Sequence, residues 1–197
     1  MKNIFIINGH EKYEFSPGKL NQLLADTAAD FFNEKNCFVK TTNMEQEIDV
    51  QEELEKHKWA DLIILQSPVN WMTVSWSFKK YMDKIYSAGM GGDLCNDDGR
   101  SKDSPKKNYG AGGCLAGKKY MLSLTLNAPK ESFNNPDEYL FQGRSIDDLF
   151  MPMHMNFRFF AMEPLPTFAC YDVMKNPEIE KDLVRFRKHL QECFHIT

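Results

Sequence analysis

Short apolar runs alternate along the chain with longer segments in which apolar residues recur every three or four positions. The runs are too short for buried helices and predict five strands, at 4–7, 37–41, 62–65, 120–126 and 167–170. Helical spacing predicts amphipathic helices at 19–35 and 50–59, and a third that includes residues 78–85. Asn176 and Pro177, as cap and first helical residue, predict the start of a last helix.

The order of these elements indicates the fold class. Strands that alternate with helices predict an α/β fold, in which crossover helices cover both faces of a parallel sheet. Five strands and a final helix favour the flavodoxin-like version, as a single domain over residues 1–197. Residues 88–117 interrupt the alternation with eight glycines. They predict a long functional surface excursion, because structureless loops of this length are uncommon in compact domains.

Composition narrows the possible partners and the compartment. The net charge of −4 and the pI of about 5.8 argue against nucleic acid as a partner. The basic stretch 102–107 is short and predicts a solvated loop. Five cysteines without a C-x-x-C pair predict reduced thiols, and no apolar run reaches the ~20 residues of a membrane span. We therefore expect a cytoplasmic protein without membrane insertion or an N-terminal signal.

The segment after the third predicted strand contains two tryptophans and a methionine. The strand ends at Pro68, which cannot donate to a sheet ladder, and Trp71, Met72 and Trp76 follow. In an open α/β sheet, ligands bind outside the carboxyl ends of the strands. Trp71 and Trp76 therefore have two interpretations: a platform on which a flat ring stacks, or core anchors for the next helix.

The connection after the first strand is the usual place for a phosphate, because a helix N-terminus offers free N–H groups. It contains no G-x-G-x-x-G, which disfavours a dinucleotide-binding Rossmann site. Ser16, Gly18 and Asn21 provide hydroxyl, backbone and amide donors for a phosphate, and an ordinary helix cap is the alternative. The P-loop-like run 112–119 ends in Lys119 where a Ser or Thr is required, so an ATPase is disfavoured.

Catalytic side chains are scarce in the sequence. The chain contains no metal-binding spacing and no G-x-S-x-G, so no metal site is predicted. His57 and His189 lie in charged helical sequence and are expected to be exposed, and His195 lies near the end of the chain. His10 and His154 are the two histidines placed to contact a ligand, with a structural role as the alternative. Aromatic loops without acid–base machinery suit an enzyme whose cofactor carries the chemistry.

Four segments together resemble the NAD(P)H:quinone oxidoreductases of the flavodoxin-like superfamily, and most closely the bacterial members. They are the run from Asp61 to Met72, the loop Ser16-x-Gly18-x-Leu20-Asn21, the run from Gly117 to Pro129, and the run from Met162 to Phe168. The resemblance extends over residues 2–194. Each segment alone is weakly specific, and the specificity comes from their order.

The resemblance implies a homodimer that binds FAD and reduces a quinone by two-electron hydride transfer from NADPH. It places the adenine diphosphate part of FAD on Ser16, Pro17, Gly18, Lys19, Leu20, Asn21, Gln22 and Leu23. It places the flavin ring beside Pro68, Val69, Asn70, Trp71, Met72, Thr125, Leu126, Asn127 and Ala128. Tyr109 matches a tyrosine that helps to form the flavin site across the dimer.

A single open face of the flavin, used by NADPH and then by the quinone, predicts ping-pong kinetics. Backbone N–H groups of residues 69–72 and 125–128 are expected to stabilise negative charge on the reduced ring. Tyr109 and His154 are the candidate catalytic residues, as acids or as groups on which the substrate stacks.

The sequence departs from the bacterial pattern near the expected flavin. Val69-Asn70 stands where the bacterial members have Gly-Trp, and Leu126 where they have Trp. Two alternatives to the quinone reductase are kept. One is a related azo- or nitroreductase that uses FMN, and the other is a nucleotide-binding accessory protein of an ion-efflux system. The long excursion favours the quinone reductase, because FMN proteins of this fold need no segment that spans a dimer.

Overall fold

The structure is a computed structural model that describes residues 2–194. A parallel sheet forms its centre, with the strand order β2-β1-β3-β4-β5 and β6 also paired to β4. This is the predicted flavodoxin-like arrangement. The strands are β1 (Asn3–Asn8), β2 (Phe38–Asn43), β3 (Leu62–Pro68), β4 (Lys119–Thr125), β5 (Glu163–Pro164) and β6 (Phe168–Cys170).

The fifth position of the sheet is filled by two short strands instead of the single predicted one. Tyr120 of β4 pairs with Pro164, and Ser123 pairs with Phe168. The three residues 165–167 therefore lie opposite only two residues of β4. The one additional residue interrupts the pairing and breaks the strand, as in a β-bulge. The prediction at 167–170 found the second piece only.

Helices cover both faces of the sheet. They are α1 (Lys19–Glu34), α2 (Val50–Trp59), α3 (Trp76–Ala88), α4 (Ile146–Leu149), α5 (Met151–Phe159) and α6 (Ile179–Phe194). Helices α4 and α5 were not predicted. The predicted start of the last helix is wrong, since α6 begins at Ile179 and Asn176-Pro177 precede it in the chain.

Two hydrophobic cores lie on opposite faces of the sheet because successive residues of a buried strand point to alternate sides. Ile4 and Ile6 pack with Leu24, Phe32 and Phe186 of α1 and α6. On the other face the core joins α2, α3, α5 and the start of the excursion, and it includes Phe5, Phe78, Leu94, Tyr120 and Phe157. The sheet is thus covered on both faces, and its carboxyl edge is left for loops.

The excursion between α3 and β4 is ordered at its base. Leu94 and Cys95 are fully buried. Hydrogen bonds from Cys114 N to Leu94 O, at 2.9 Å, and from Asn96 N to Gly112 O, at 2.8 Å, join its two ends. Lys102, Lys106 and Lys107 are exposed, which confirms the solvated loop.

The described residues also bear on cysteine state and membrane insertion. All five cysteines are free thiols, as predicted. Within residues 2–194 no helix is both long enough and apolar enough to cross a bilayer. His195 lies outside the described residues.

Candidate active site at the carboxyl edge of the sheet

A buried amide joins three elements at the carboxyl edge. The Asn21 side chain, in the first turn of α1, accepts hydrogen bonds from Gln66 Nε2 at 2.9 Å and from Thr125 Oγ1 at 3.2 Å. Asn21 is 5% exposed, so its side chain holds α1 against β3 and β4. This differs from the sequence interpretation, in which the Asn21 amide faced a phosphate.

The N-terminus of α1 is open to a ligand. Its N-cap is Gly18, at φ 79°, which makes no side-chain cap, and the first turn contains no acidic residue. The ordinary side-chain cap considered from the sequence is therefore wrong. Uncapped N–H groups and the positive end of the helix dipole favour an anion at this position.

The buried side chain of His10 packs against the β1–α1 loop. It is 4% exposed, and its Nε2 lies 3.2 Å from the carbonyl oxygen of Ser16. A Cβ on Gly18 would lie 2.4 Å from Cε1 and Nδ1 of the imidazole, so only glycine fits beside this ring. Burial lowers the pKa of His10, which keeps the ring neutral at pH 7.

A cleft of about 430 Å³ runs from this loop to the end of β2. Five of the eight residues predicted for the diphosphate line it: Pro17, Gly18, Lys19, Gln22 and Leu23. Lys12 and Asn43, which were not predicted from the sequence, also line the cleft. Their spacing in the chain gives no signal, because the fold alone brings the end of β2 beside the β1–α1 loop.

The tryptophan loop is a tight hairpin with an unusual backbone. Asn70 N donates to Thr73 O at 2.8 Å, and Thr73 N donates to Asn70 O at 3.1 Å. The two residues between them, Trp71 and Met72, have φ values of 47° and 67°. Such turns favour Asn-Gly, and a bulky residue in this conformation costs roughly 1–3 kcal/mol. Strain of this kind occurs at ligand sites more often than elsewhere.

The strained turn presents its aromatic side chain to solvent. Trp71 is 96% exposed and Met72 is 45% exposed. The core-anchor interpretation of Trp71 is therefore wrong. Trp76 is the first residue of α3 and is 59% exposed, so the core-anchor interpretation is wrong for this side chain as well. Phe78, fully buried, anchors the helix instead.

The loop after β4 lies beside the hairpin, because Val69 N donates to Thr125 O at 2.8 Å. Leu126 is buried, and its N–H donates to Cys170 O at 3.0 Å, so this side chain and this donor belong to the interior. The N–H groups of Val69 and Asn70 are likewise bonded. Among residues 2–194, the backbone N–H groups without a hydrogen-bond partner in these two loops are those of Trp71, Met72, Asn127 and Ala128.

Tyr109 lies on the excursion, apart from these loops. Its ring packs edge-on against Phe159 of α5 at 5.8 Å and carries the Arg100 guanidinium at 5.6 Å. It is 73% exposed. Together with Met82, Tyr86 and Met90, it lines a cleft of about 330 Å³ between α3 and α5. Within one protomer, Tyr109 is therefore not part of the carboxyl-edge site.

His154 is also separated from the loops. Its Nδ1 lies 2.7 Å from the Tyr120 hydroxyl, at the start of β4, and its Nε2 lies 3.2 Å from Asp147 Oδ1. Thr125 is five residues further along β4, which is roughly 16 Å at the usual strand rise. The structure therefore brings together most of the predicted flavin residues but neither candidate catalytic residue.

The expectation that His57 is exposed is wrong. The ring is fully buried, and its Nδ1 donates to the carbonyl oxygen of Glu53 at 2.8 Å. It packs among the rings of Phe5, Tyr81 and Tyr86. His189 is half-buried and contacts the Pro166 carbonyl oxygen at 2.9 Å. Among the described residues no group of His, Cys, Asp or Glu side chains could hold a metal ion.

Comparison with known proteins defines the class. A family model described as a flavodoxin-like fold matches residues 2–193, so the chain belongs to this family. NADPH:quinone oxidoreductase MdaB of Haemophilus influenzae is 39% identical over 192 residues, which are 98% of this chain and 99% of that protein.

Two solved structures show the same fold. A candidate quinone reductase of Klebsiella pneumoniae superposes with a TM-score of 0.75 at 19% identity, over 99% of this chain and 84% of that chain. General stress protein 14 of Treponema denticola, solved with FMN, superposes with a TM-score of 0.68 at 17% identity, over 98% and 99% of the two chains.

Proposed function

We propose that this protein is an FAD-dependent NAD(P)H:quinone oxidoreductase that acts as a homodimer. The observation that carries the proposal is the strained Trp71–Met72 turn, which holds an exposed indole and free N–H groups beside the β4 loop. The 39% identity to an NADPH:quinone oxidoreductase, over nearly the whole of both chains, supports the reaction and NADPH as hydride donor.

The residues of the first loop fit the diphosphate of such a cofactor. The uncapped α1 N-terminus supplies N–H donors, and Gly18 sets the start of the helix at φ 79°, where a Cβ would clash with His10. Lys12 and Lys19 line the 430 Å³ cleft, but Asp26 and Glu45 line it as well, so the N–H groups of α1 are the main attraction for an anion. The cleft continues to Asn43 at the end of β2, beyond the first helical turn. This additional length favours FAD over FMN, because FMN has no adenosine to occupy it.

The tryptophan loop and the loop after β4 fit the flavin ring. Trp71 and Met72 offer an apolar surface, and the free N–H groups of Trp71, Met72, Asn127 and Ala128 are placed to donate to carbonyl oxygens of a ring. We expected all backbone N–H groups of residues 69–72 and 125–128 to donate to the ring. We now propose that only these four do so. Val69 and Leu126 help to shape the loops but do not donate to the ring, because their backbone N–H groups are bonded to Thr125 O and Cys170 O.

FAD, when bound, would supply hydride-transfer chemistry between NADPH and the quinone. The two loops tied together by the Val69–Thr125 hydrogen bond would hold its ring. If these loops cover one side of the ring, a single face is left for both substrates. The two substrates then bind in turn, which gives ping-pong kinetics.

The exposed face that carries Tyr109 supports the proposed homodimer. A tyrosine ring that is 73% exposed above a cleft of about 330 Å³ is suited to complete the site of a second copy. His154 is omitted from this proposal, because both ring nitrogens are engaged at the other end of β4. We also place the protein in the cytoplasm, as the five free thiols indicate.

Identification of the flavin tests the cofactor. We expect the purified protein to be yellow, to release FAD on denaturation, and to oxidise NADPH when menadione is supplied. Chromatography of the released flavin and initial rates with NADPH and NADH measure this. Release of FMN would favour the related azo- or nitroreductase, and a colourless protein that does not take up FAD would contradict the proposal.

Trp71→Ala tests the flavin platform. Loss of one stacking contact is expected to weaken FAD binding about 10-fold, which corresponds to ~1.4 kcal/mol. The unfolding midpoint should not fall, because the side chain is 96% exposed. Trp76→Ala is the matched control, an exposed tryptophan five positions further on, and should leave FAD affinity unchanged. Equal loss in both variants would count against a specific role for Trp71.

A further inference from the structure

A second cleft, of about 830 Å³, opens at the amino-terminal end of β4. Its volume lies within the range of small-molecule sites. Tyr120 lines the cleft, and Glu163 and Pro164 of β5 line it beside the start of β4. It lies roughly 16 Å along the strand from Thr125, so it is separate from the loops assigned to the flavin.

One wall of this cleft is apolar and adaptable. Met151 and Met155 are one helical turn apart on α5, with 42% and 61% of their surfaces exposed. Met162, Pro164, Leu165 and Pro166 complete this wall. Thioether sulfurs make favourable contacts with aromatic rings, and the flexible methionine side chain adjusts to rings of different shape. The wall is therefore suited to a flat aromatic group.

A hydrogen-bonded chain of polar side chains also lines the cleft. The Tyr120 hydroxyl donates to His154 Nδ1 at 2.7 Å, and His154 Nε2 donates to Asp147 Oδ1 at 3.2 Å. The bond from His154 lowers the pKa of Asp147, and burial raises that of Tyr120 to about 12. Asp147 is therefore a carboxylate at neutral pH, oriented by its bond to His154.

The charges around the cleft select for a cation. Three carboxylates line it, from Asp147, Asp148 and Glu163, against one guanidinium from Arg158. Asp148 is bound to Ser145, and Glu163 has Lys119 at 3.9 Å. The Asp147 side chain contacts His154 but is 56% exposed, so it is the carboxylate best placed to meet a ligand. A negative rim over a methionine-lined wall is complementary to an aromatic ring that carries a positive charge.

We propose that this cleft is a binding site for flat aromatic amines that are cationic at neutral pH. The aromatic ring lies on Met151 and Met155, and the charged nitrogen faces Asp147. The proposal does not depend on the quinone reductase activity, because the cleft and the flavin loops lie at opposite ends of the sheet.

Calorimetric titration of the purified, flavin-loaded protein with 9-aminoacridine tests the site. Saturating menadione is present throughout, so that binding at a quinone site is blocked. We expect one site per subunit and at least about 10-fold weaker binding of the anionic analogue acridine-9-carboxylate. Absence of binding, or equal affinity for the two analogues, would overturn the proposal.

Two pairs of variants localise the binding. Met155→Lys should weaken the aminoacridine about 10-fold by adding a like charge to the wall, and Asp147→Asn should weaken it several-fold. Met174→Lys and Asp30→Asn are the matched controls, at exposed positions outside the cleft, and should bind as the unmodified protein does. All four positions are exposed, so folding is not at risk. If Met155→Lys and Met174→Lys bind equally well, the proposed site is wrong.

Discussion

Gly18 in the candidate diphosphate loop has no room for a side chain beside His10. Gly18→Ala should destabilise the protein by roughly 1–3 kcal/mol, because the new methyl group meets the imidazole at 2.4 Å and φ is 79°. FAD affinity should fall with it, since α1 must shift. Urea unfolding and flavin titration measure the two effects.

Gly117→Ala separates the cost of the left-handed backbone conformation from the cost of the steric clash with His10. Gly117 has a similar φ of 82°, but nothing lies within 4 Å of its Cβ position. We expect only the cost of the left-handed conformation, about 1 kcal/mol, and no change in FAD affinity. If the two variants are equally unstable, the His10 contact has no energetic role.

His57 gives the protein a pH-dependent stability. Burial lowers its pKa below 6.5, and burial acts in the same direction on His10 and His189. The unfolded chain therefore binds more protons than the folded one as the pH falls below 6.5. The stabilisation that these neutral histidines contribute is fully present well above pH 6.5. The free energy of unfolding should decrease as the pH falls from about 7 towards the lowered pKa values.

His57→Phe tests this contribution. The phenyl ring suits a pocket formed by Phe5, Tyr81 and Tyr86, and it cannot take up a proton. The decrease in the free energy of unfolding between pH 7 and 5 should be smaller in this variant, as measured by urea titrations at several pH values. An unchanged pH dependence would show that other groups control the acid sensitivity.

The Trp71–Met72 turn shows a conflict between stability and function in one element. Replacing both residues by Asn-Gly, the pair that such turns favour, should raise the free energy of unfolding by about 1–2 kcal/mol. FAD binding should weaken in the same variant, because the indole is lost. Asn36→Gly is the control at another left-handed position, φ 57°, where the natural residue already tolerates the conformation. A double variant less stable than the natural protein would contradict the strain argument.

Elements differed in how well the sequence predicted them. Helices α1, α2 and α3 were found because apolar residues such as Leu24 and Phe78 recur on one face. Helix α5 was missed, since a methionine-rich segment with Pro152 has no clear amphipathic pattern. The break in the fifth strand was also missed, because a bulge depends on pairing with β4 and not on local propensity.

The homodimer is tested with two defective variants. Trp71→Ala and Tyr109→Ala should each lower kcat/KM with menadione. If Tyr109 serves the site of the partner, a heterodimer of the two variants contains one site with both residues intact. Co-expressed and tag-purified heterodimer should then recover up to about half of the unmodified activity.

The opposite result has a clear meaning. If Tyr109 acts within its own subunit, each site of the heterodimer carries one defect and activity is not recovered. Size-exclusion chromatography with light scattering gives the oligomeric state independently. A monomer with full activity would contradict the composite site.

The sequence by itself determined the alternation of strands and helices, the absence of nucleotide motifs such as G-x-G-x-x-G, and the position of the tryptophan loop after a buried strand. These properties are local, because each depends on neighbouring residues and their period. They were enough to predict the flavodoxin-like fold and the carboxyl edge as the candidate site.

Only the tertiary structure decided which side chains face a ligand. Trp71 is exposed because its turn has positive φ values, and Asn21 is buried because β3 and β4 bring Gln66 and Thr125 to it. His57 and His154 lie in different surroundings for the same reason: contacts between residues distant in the chain set burial and hydrogen bonding. Such contacts leave no signal in the local pattern of hydrophobic and polar residues.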